Sequence, residues 1–500
     1  MQFTTSSEAA SQIATDCLIV GLFQDHGFDE TLTGLDQAAA GALSRLLEAG
    51  DLPRAAGKTL ILHALPGIKT SRVLVVGLGK SEKFNGIAFT KAVQAAGKAL
   101  RQSRARSAHC LLASCPVKDR AEDWKLRQAA LALAHADYVY TATKKPKDDA
   151  APATDSISFP AADGADAQLA IATAVAAGVQ LARDLGDAPP NICTPIYLAE
   201  TAERMAGEHD GLDVEVLDED QMAELGMNAL LAVGQGSVNP SRLVRLTWRG
   251  GKEGDAPLAL VGKGVTFDTG GISIKPRELM EQMKFDMCGA ATTLGVMEAV
   301  ARLKLPINVE GVVAAVENMP DGNAYRPGDI ITTMSGKTVE VHNTDAEGRM
   351  ILADAIYWTG QKLKPAKMVD IATLTGACVV ALGHHASGIM TQDDELAEEL
   401  LTAGQSAADR GWRLPLWDDY QEQIETPFAD MKNLGGMPAG SITAGCFLSR
   451  FAEGQRWAHI DIAGSAWQWG KPESASGRPV AMLVEWLATN AGGWNSGHKH

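Results

Sequence analysis

What most constrains this chain is a repeated alternation. Short apolar, β-branched runs alternate with stretches of helical spacing, and they do so on both sides of a segment rich in Pro, Asp, Ala and Ser. Before that segment, residues 18–23, 59–65 and 73–77 read as buried strands, while 43–48 and 87–100 carry helical spacing. After it, 258–262, 309–316, 368–372 and 458–462 are short, apolar and β-rich. Residues 329–334 and 337–342, joined by Ser335-Gly336, resemble a hairpin. Such alternation predicts α/β layers around mainly parallel sheets, and 500 residues exceed what one core usually organises. The expectation is an N-terminal α/β domain over 1–165 and a larger C-terminal α/β domain over 166–500. The first ends in a linker at about 144–167; the second holds a mixed, mainly parallel sheet flanked by helices.

Composition narrows the function classes. At 46% hydrophobic and 21% charged residues the chain has the balance of a folded globular protein. Its net charge of −16 leans away from a nucleic-acid or membrane-surface binder. The imbalance is local: residues 1–165 hold 19 basic and 17 acidic side chains, the remainder 26 and 44. Seven cysteines without a C-x-x-C pair predict buried free thiols in a reducing compartment. The N-terminus has no basic stretch leading into an apolar one, and the charge-poor helical run 167–182 falls short of a membrane span. A cytoplasmic location is therefore expected.

Several familiar motifs fail. VLVVGLGKS (73–81) looks like a phosphate-binding loop, but Leu74 stands where that motif needs Gly; a strand turning tightly into a helix is the plainer reading. Neither G-x-S-x-G nor H-E-x-x-H occurs. His384-His385 lies in a loop with Gly and Ser, more consistent with a solvated or core-satisfied role than with a metal site.

Between 261 and 350 the acidic residues fall differently. VGKGVTFDTGGISIKP (261–276) carries Lys263, Asp268 and Lys275; MKFDMCGAATT (283–293) carries Asp286; HNTDAEGRMILADA (342–355) carries Asp345, Glu347 and Arg349. Three of the four carboxylates adjoin Gly or small residues, where backbone can approach a ligand closely. In an extended segment the spacing of two would point Asp345, Glu347 and Arg349 to one side, with a helix starting at about Met350. Four gathered carboxylates cannot all stay ionised without compensating cations. A pair of divalent metals with oxygen ligands satisfies that demand; Mn²⁺ and Mg²⁺ suit such ligands and Zn²⁺ accepts them. A lysine nitrogen among the ligands would need a depressed pKa. Surface ion pairs are the competing reading of the same spacing.

These blocks resemble the leucyl aminopeptidase family, the cytosol aminopeptidases of the peptidase A type. Its most specific signature, N-T-D-A-E-G-R, is complete at 343–349. ARDLGDAPPNICTP (182–195), DIATLTGA (370–377), FADMKNLGG (428–436) and WAHIDIAGSAW (457–467) match further family blocks in order, so the resemblance covers about 168–486. It implies that Asp268 and Glu347 bridge two metal ions, that Lys263 and Asp286 complete one shell, and that Asp345 completes the other. It makes Lys275 and Arg349 the catalytic pair, with bicarbonate near Arg349, and Met283, Thr373, Leu374 and Gly376 the substrate contacts. Taken alone, Arg349 reads equally well as a partner of Glu347 or a helix cap, and Met283 and Leu374 as packing. The implied activity is removal of Leu and other, mainly apolar, residues from peptides with a free N-terminal amine, through a metal-bridging hydroxide. Two Mn²⁺ or Zn²⁺ per subunit, with Mg²⁺ an alternative at one site, and a homohexamer built as a dimer of trimers go with it. A secondary DNA-binding role, as in some bacterial members, has only the near-neutral charge of 1–165 in its favour. Two departures stand out: Asp187 where Asn is common, and GGMPAGS (435–441) where an Arg is commoner.

Overall fold

The computed structural model describes residues 1–145, 149, 151–467 and 474–494. They form two compact units, Met1–Ala176 and Ala177–His500. The first holds six strands: β1 (Gln2–Ser6), β2 (Cys17–Phe23), β3 (Thr59–His63), β4 (Arg72–Gly79), β5 (Ser107–Cys110) and β6 (Ser156–Pro160), ordered β1-β6-β5-β2-β4-β3. All neighbours are parallel except β3, which pairs antiparallel with β4. The central strands are almost continuously apolar because both faces are covered. On one face Leu18, Val20, Val73 and Val75 pack with Leu32, Leu35 and Leu43 from helices Glu30–Ala38 and Ala42–Glu48. Helix Gly86–Gln102 also packs on β4 and buries Phe89, Val93, Ala96 and Leu100, one turn apart, as an amphipathic helix must.

The segment expected to be a linker is only partly one. Residues 146–148 and 150 lie outside the described residues, but 156–160 form β6, held between β1 and β5, and a helix begins at Ala165. The Pro- and Asp-rich surroundings hid a strand whose alternating Ile157 and Phe159 are fully buried.

The second unit is built on eight strands: β7 (Leu212–Leu217), β8 (Arg242–Arg249), β9 (Leu258–Asp268), β10 (Asn308–Asn318), β13 (Lys367–Ala372), β14 (Ser387–Met390), β15 (Gly411–Arg413) and β17 (Trp457–Asp461). Their order is β15-β14-β17-β13-β9-β10-β8-β7. The core four, β17, β13, β9 and β10, are parallel; β8, β7 and β14 join antiparallel, so the sheet is mixed. The expected hairpin exists as β11 (Ile330–Thr332) and β12 (Thr338–Glu340), extended by β16 (Met431–Lys432) into a separate three-stranded sheet. Alternation along β9 separates the two faces. Val261 and Val265 join a core with Met350, Ile351 and Ile356 of helix Glu347–Leu363. Gly262 faces helix Cys288–Leu303 so closely that a Cβ would meet Thr293 Oγ1 at 2.6 Å.

Helix Ala165–Asp187 carries the chain across the division between the units. At 23 residues it is long and apolar enough, by length and composition, to cross a membrane, which the run 167–182 did not lead us to expect. Half of that stretch is buried inside the protein, as in a core helix. Within the second unit it crosses helix Cys288–Leu303 at paired glycines: a Cβ on Gly178 would sit 2.1 Å from Gly295 O, and one on Gly295 2.4 Å from Gly178 O.

Candidate metal centre and active site

Open α/β sheets place ligands beyond the carboxyl ends of their strands, and the polar residues gather there. Asp268 ends β9, Asn318 ends β10, Thr373 follows β13 and Asp461 ends β17. Asp286 lies just before helix Cys288–Leu303, and Glu347 opens helix Glu347–Leu363.

The spacing argument for Asp345, Glu347 and Arg349 does not survive. Residues 344–345 form a turn and the helix starts at Glu347, three residues earlier than expected. The turn presents Asp345, and the first helical turn presents Glu347 to the same place. Gly348 makes this approach feasible, because a Cβ there would lie 2.6 Å from Lys263 Cε. Gly270, at φ +85°, closes the other side: a Cβ would meet Asp345 Oδ1 at 2.8 Å.

Six of the seven residues singled out in these blocks, Lys263, Asp268, Lys275, Asp286, Asp345 and Glu347, are joined by direct ion pairs. Lys263 Nζ lies 2.7 Å from Asp286 Oδ1 and 2.8 Å from Glu347 Oε1, and donates to Thr373 O at 2.9 Å. Lys275 Nζ lies 2.7 Å from Asp268 Oδ2 and 2.5 Å from Asp345 Oδ1. Ligand atoms of Asp268, Asp286 and Glu347 fall within 4.8 Å of one another. Asp268 Oδ1 is oriented by Gly270 N–H at 2.9 Å and Asn318 Nδ2 at 2.8 Å. Thr373 Oγ1 donates to Asp286 Oδ1 at 2.7 Å. Lys263, Asp286 and Glu347 are nearly sealed, whereas Lys275 and Asp345 keep 20% and 30% of their side chains exposed, so the cluster opens on their side.

Four carboxylates thus face two ammonium groups, and the deficit of positive charge is visible in their acidities. Burial, with Glu347 adding repulsion, raises the Asp268 carboxyl, and burial lifts Asp286 well above its usual range. Asp345 is pushed up to about 7 by burial and by Asp268. Glu347 moves the other way: burial opposes its charge, but Lys263 and Lys275 outweigh it and hold the carboxyl down. Both lysines are raised, because burial is overcome by the surrounding carboxylates. Asp286 Oδ2 and Glu347 Oε2 are buried without a hydrogen-bond partner. Buried acceptors with no donor are costly, and oxygen-rich sites of this kind suit hard divalent cations.

Arg349 is buried, with Nε and one terminal nitrogen unpartnered. Its carboxylate surroundings are Glu347 and Asp461; burial draws its pKa down to about 10, so it keeps its charge. Glu347 pairs with Lys263 rather than forming the Arg349 ion pair that the sequence also allowed. Thr373 is buried against the cluster, Leu374 is half-buried and donates its N–H to Asp461 Oδ1, and Gly376 is exposed at the start of helix Gly376–Leu382. Met283 is half-buried in a short 3₁₀ helix, and its carbonyl accepts from Asp286 N–H. His384, by contrast, bonds Gly464 O. Sequence reasoning assigned no role to Asn318, nor to Asp461, which lay inside a quoted block.

Comparison with known proteins bears on this geometry. Residues 180–484 match the model of the cytosol aminopeptidase family, catalytic domain, and residues 19–147 that of the cytosol aminopeptidase family, N-terminal domain. The chain belongs to the cytosol aminopeptidase family. It is 54% identical over 491 residues to a probable cytosol aminopeptidase of Stenotrophomonas maltophilia (strain K279a), covering 97% of this chain and 98% of that one. A probable cytosol aminopeptidase of Xanthomonas campestris pv. campestris (strain B100) is 50% identical, with 99% and 100% covered. Among solved structures, a mutant tomato leucine aminopeptidase aligns with a TM-score of 0.88 and 34% identity over 98% of this chain and 97% of that one. The bottromycin maturation enzyme BotP in complex with Mn aligns with a TM-score of 0.84 and 32% identity, covering 96% and 100%. A peptidase hydrolase that removes N-terminal residues is thus the activity of this family fold, and a structural neighbour is complexed with Mn.

Proposed function

We propose that this cytosol aminopeptidase is a two-metal enzyme that releases Leu and other, mainly apolar, residues from peptides bearing a free N-terminal amine. The observation that carries this reading is the buried cluster of Asp268, Asp286 and Glu347, with donorless oxygens on Asp286 and Glu347. Asp268 and Glu347 would be shared by two cations, Lys263 and Asp286 would complete one set of ligands and Asp345 the other. Divalent ions bound there, Mn²⁺ or Zn²⁺ with Mg²⁺ an alternative at one position, supply Lewis acidity and acidify water.

The chain's own groups do the rest. Lys275, on the open side, is placed to donate from Nζ to the oxyanion that develops on the scissile carbonyl, where a fixed positive charge contributes most. Arg349 cannot exchange a proton at working pH; its unpartnered N–H groups fit it to hold a small anion, such as bicarbonate, beside the reacting groups. Thr373 fixes Asp286, and Met283, Leu374 and Gly376 would line the side that receives the substrate's first residue. A cytoplasmic location and a homohexameric assembly complete the reading.

Metal analysis of the purified protein, paired with hydrolysis of leucyl p-nitroanilide, tests it. Two equivalents of metal, with activity lost to chelator and to acetylation of the substrate amine, are expected. The Asp345→Ala/Glu347→Ala double variant, folded and resupplied with metal, should lose at least a thousandfold in kcat/KM, about 4 kcal/mol of transition-state stabilisation. Wild-type activity in that variant would refute the assignment.

A further inference from the structure

Asp461 is fully buried at the end of β17 and is not a member of the carboxylate cluster. Its side chain accepts three hydrogen bonds: Oδ1 from Leu374 N–H at 3.2 Å and Ala463 N–H at 3.1 Å, and Oδ2 from the Thr375 hydroxyl at 2.6 Å. Because Thr375 spends its only proton on Asp461, its oxygen acts as acceptor for its other neighbours. It takes Cys378 N–H at 3.1 Å, capping helix Gly376–Leu382, and lies 2.8 Å from Ser441 Oγ, which must then be the donor. Ser441 is buried in the first turn of helix Gly440–Ser449. One carboxylate thereby ties the loop 373–376 to two helix starts. The near end of that loop is anchored separately, by Thr373 on Asp286 and Lys263.

We infer that Asp461 is a positioning residue: through Thr375 and Ser441 it holds Leu374 to Gly376 as the wall against which the substrate's first side chain is bound. This rests on the aminopeptidase reading above and adds a residue to it. It also gives the unusual GGMPAGS segment a physical route to selectivity, since that segment ends in Ser441 and any shift of it passes to the loop by one hydroxyl pair. The division of labour fixes the signature. Thr373 has its own anchors, so losing the Thr375 hydroxyl frees the outer loop while leaving in place both the cluster and the Asp461 charge near Arg349; binding should suffer and turnover should not.

The test uses full-length protein with metal supplied, and leucyl and alanyl p-nitroanilides as substrates. Thr375→Val should raise KM for the leucyl substrate about tenfold with kcat within twofold and metal content unchanged. Asp461→Asn should raise KM likewise, with any change in kcat read as its charge acting on Arg349, and Thr375→Ser, which restores the hydroxyl, should bring KM back. Ser441→Ala should alter the leucyl-to-alanyl ratio of kcat/KM severalfold. A merely structural role would reduce the fraction of active enzyme, lowering apparent kcat at constant KM; that outcome, or an unchanged KM, overturns the inference. A wild-type protein inert toward both substrates would instead overturn the aminopeptidase reading beneath it.

Discussion

His109 sits within β5, almost fully buried, with Nδ1 2.8 Å from Ser158 Oγ on the neighbouring β6. Burial pulls its pKa down to about 4, whereas an unfolded chain protonates its histidines near pH 6.5. Between those values the unfolded state binds the extra proton, so the stability this neutral imidazole contributes is present above pH 6.5 and lost as pH falls toward 4. The loss should reach about 3 kcal/mol at pH 4. Urea unfolding followed from pH 7 to 4 should show the decline, and His109→Gln should flatten it; an unchanged slope would contradict the burial argument.

At the scale of elements, the crossing of helices Ala165–Asp187 and Cys288–Leu303 depends on two glycines rather than on knobs and grooves. At an exposed helical glycine, alanine gains up to about 1 kcal/mol. At Gly295 the sign reverses, because the new Cβ would lie 2.4 Å from Gly178 O and 3.1 Å from a Val480 methyl. Gly295→Ala should cost about 2 kcal/mol in chemical denaturation, as overpacked cores generally do. The same scale shows what could be read from sequence. β2, β4, β9 and β10 are buried on both faces and announce themselves as apolar runs. β1 (QFTTS) and β7 (LDVEVL), at the edges of their sheets, bury only alternate residues, if that, and escape notice. That Lys263, Asp268, Lys275, Asp286, Asp345 and Glu347 belong together was legible because they come as compact blocks; their geometry was not. A turn and a helix start, rather than a strand, bring Asp345 and Glu347 together, and no spacing rule distinguishes the two. Asp461 stayed hidden because its partners Leu374, Thr375 and Ala463 make contacts that only the fold creates.

For the molecule as a whole, the seven cysteines form a common class. All are buried and free. Burial pushes the thiols of Cys17, Cys110, Cys115 and Cys193 up to about 12, Cys446 to about 11, and Cys288 and Cys378 upward as well. Reactivity belongs to the thiolate, so the native protein should give no rapid reaction with Ellman's reagent, while all seven titrate in guanidinium. A thiol that reacts within seconds in native buffer would mark a cysteine less protected than its packing implies.

The continuity of helix Ala165–Asp187 through the boundary at Ala176 and Ala177 has a consequence for how this chain can be cut. Proteases grip extended backbone, which a hydrogen-bonded helix with a buried Arg183 does not offer. Exposed basic residues lie upstream of it, at Lys144 and Lys145. Scission there would leave β6 on the larger fragment, still clasped between β1 and β5 of the smaller one. Nicking would divide the polypeptide while a sheet made from both fragments held its six strands together.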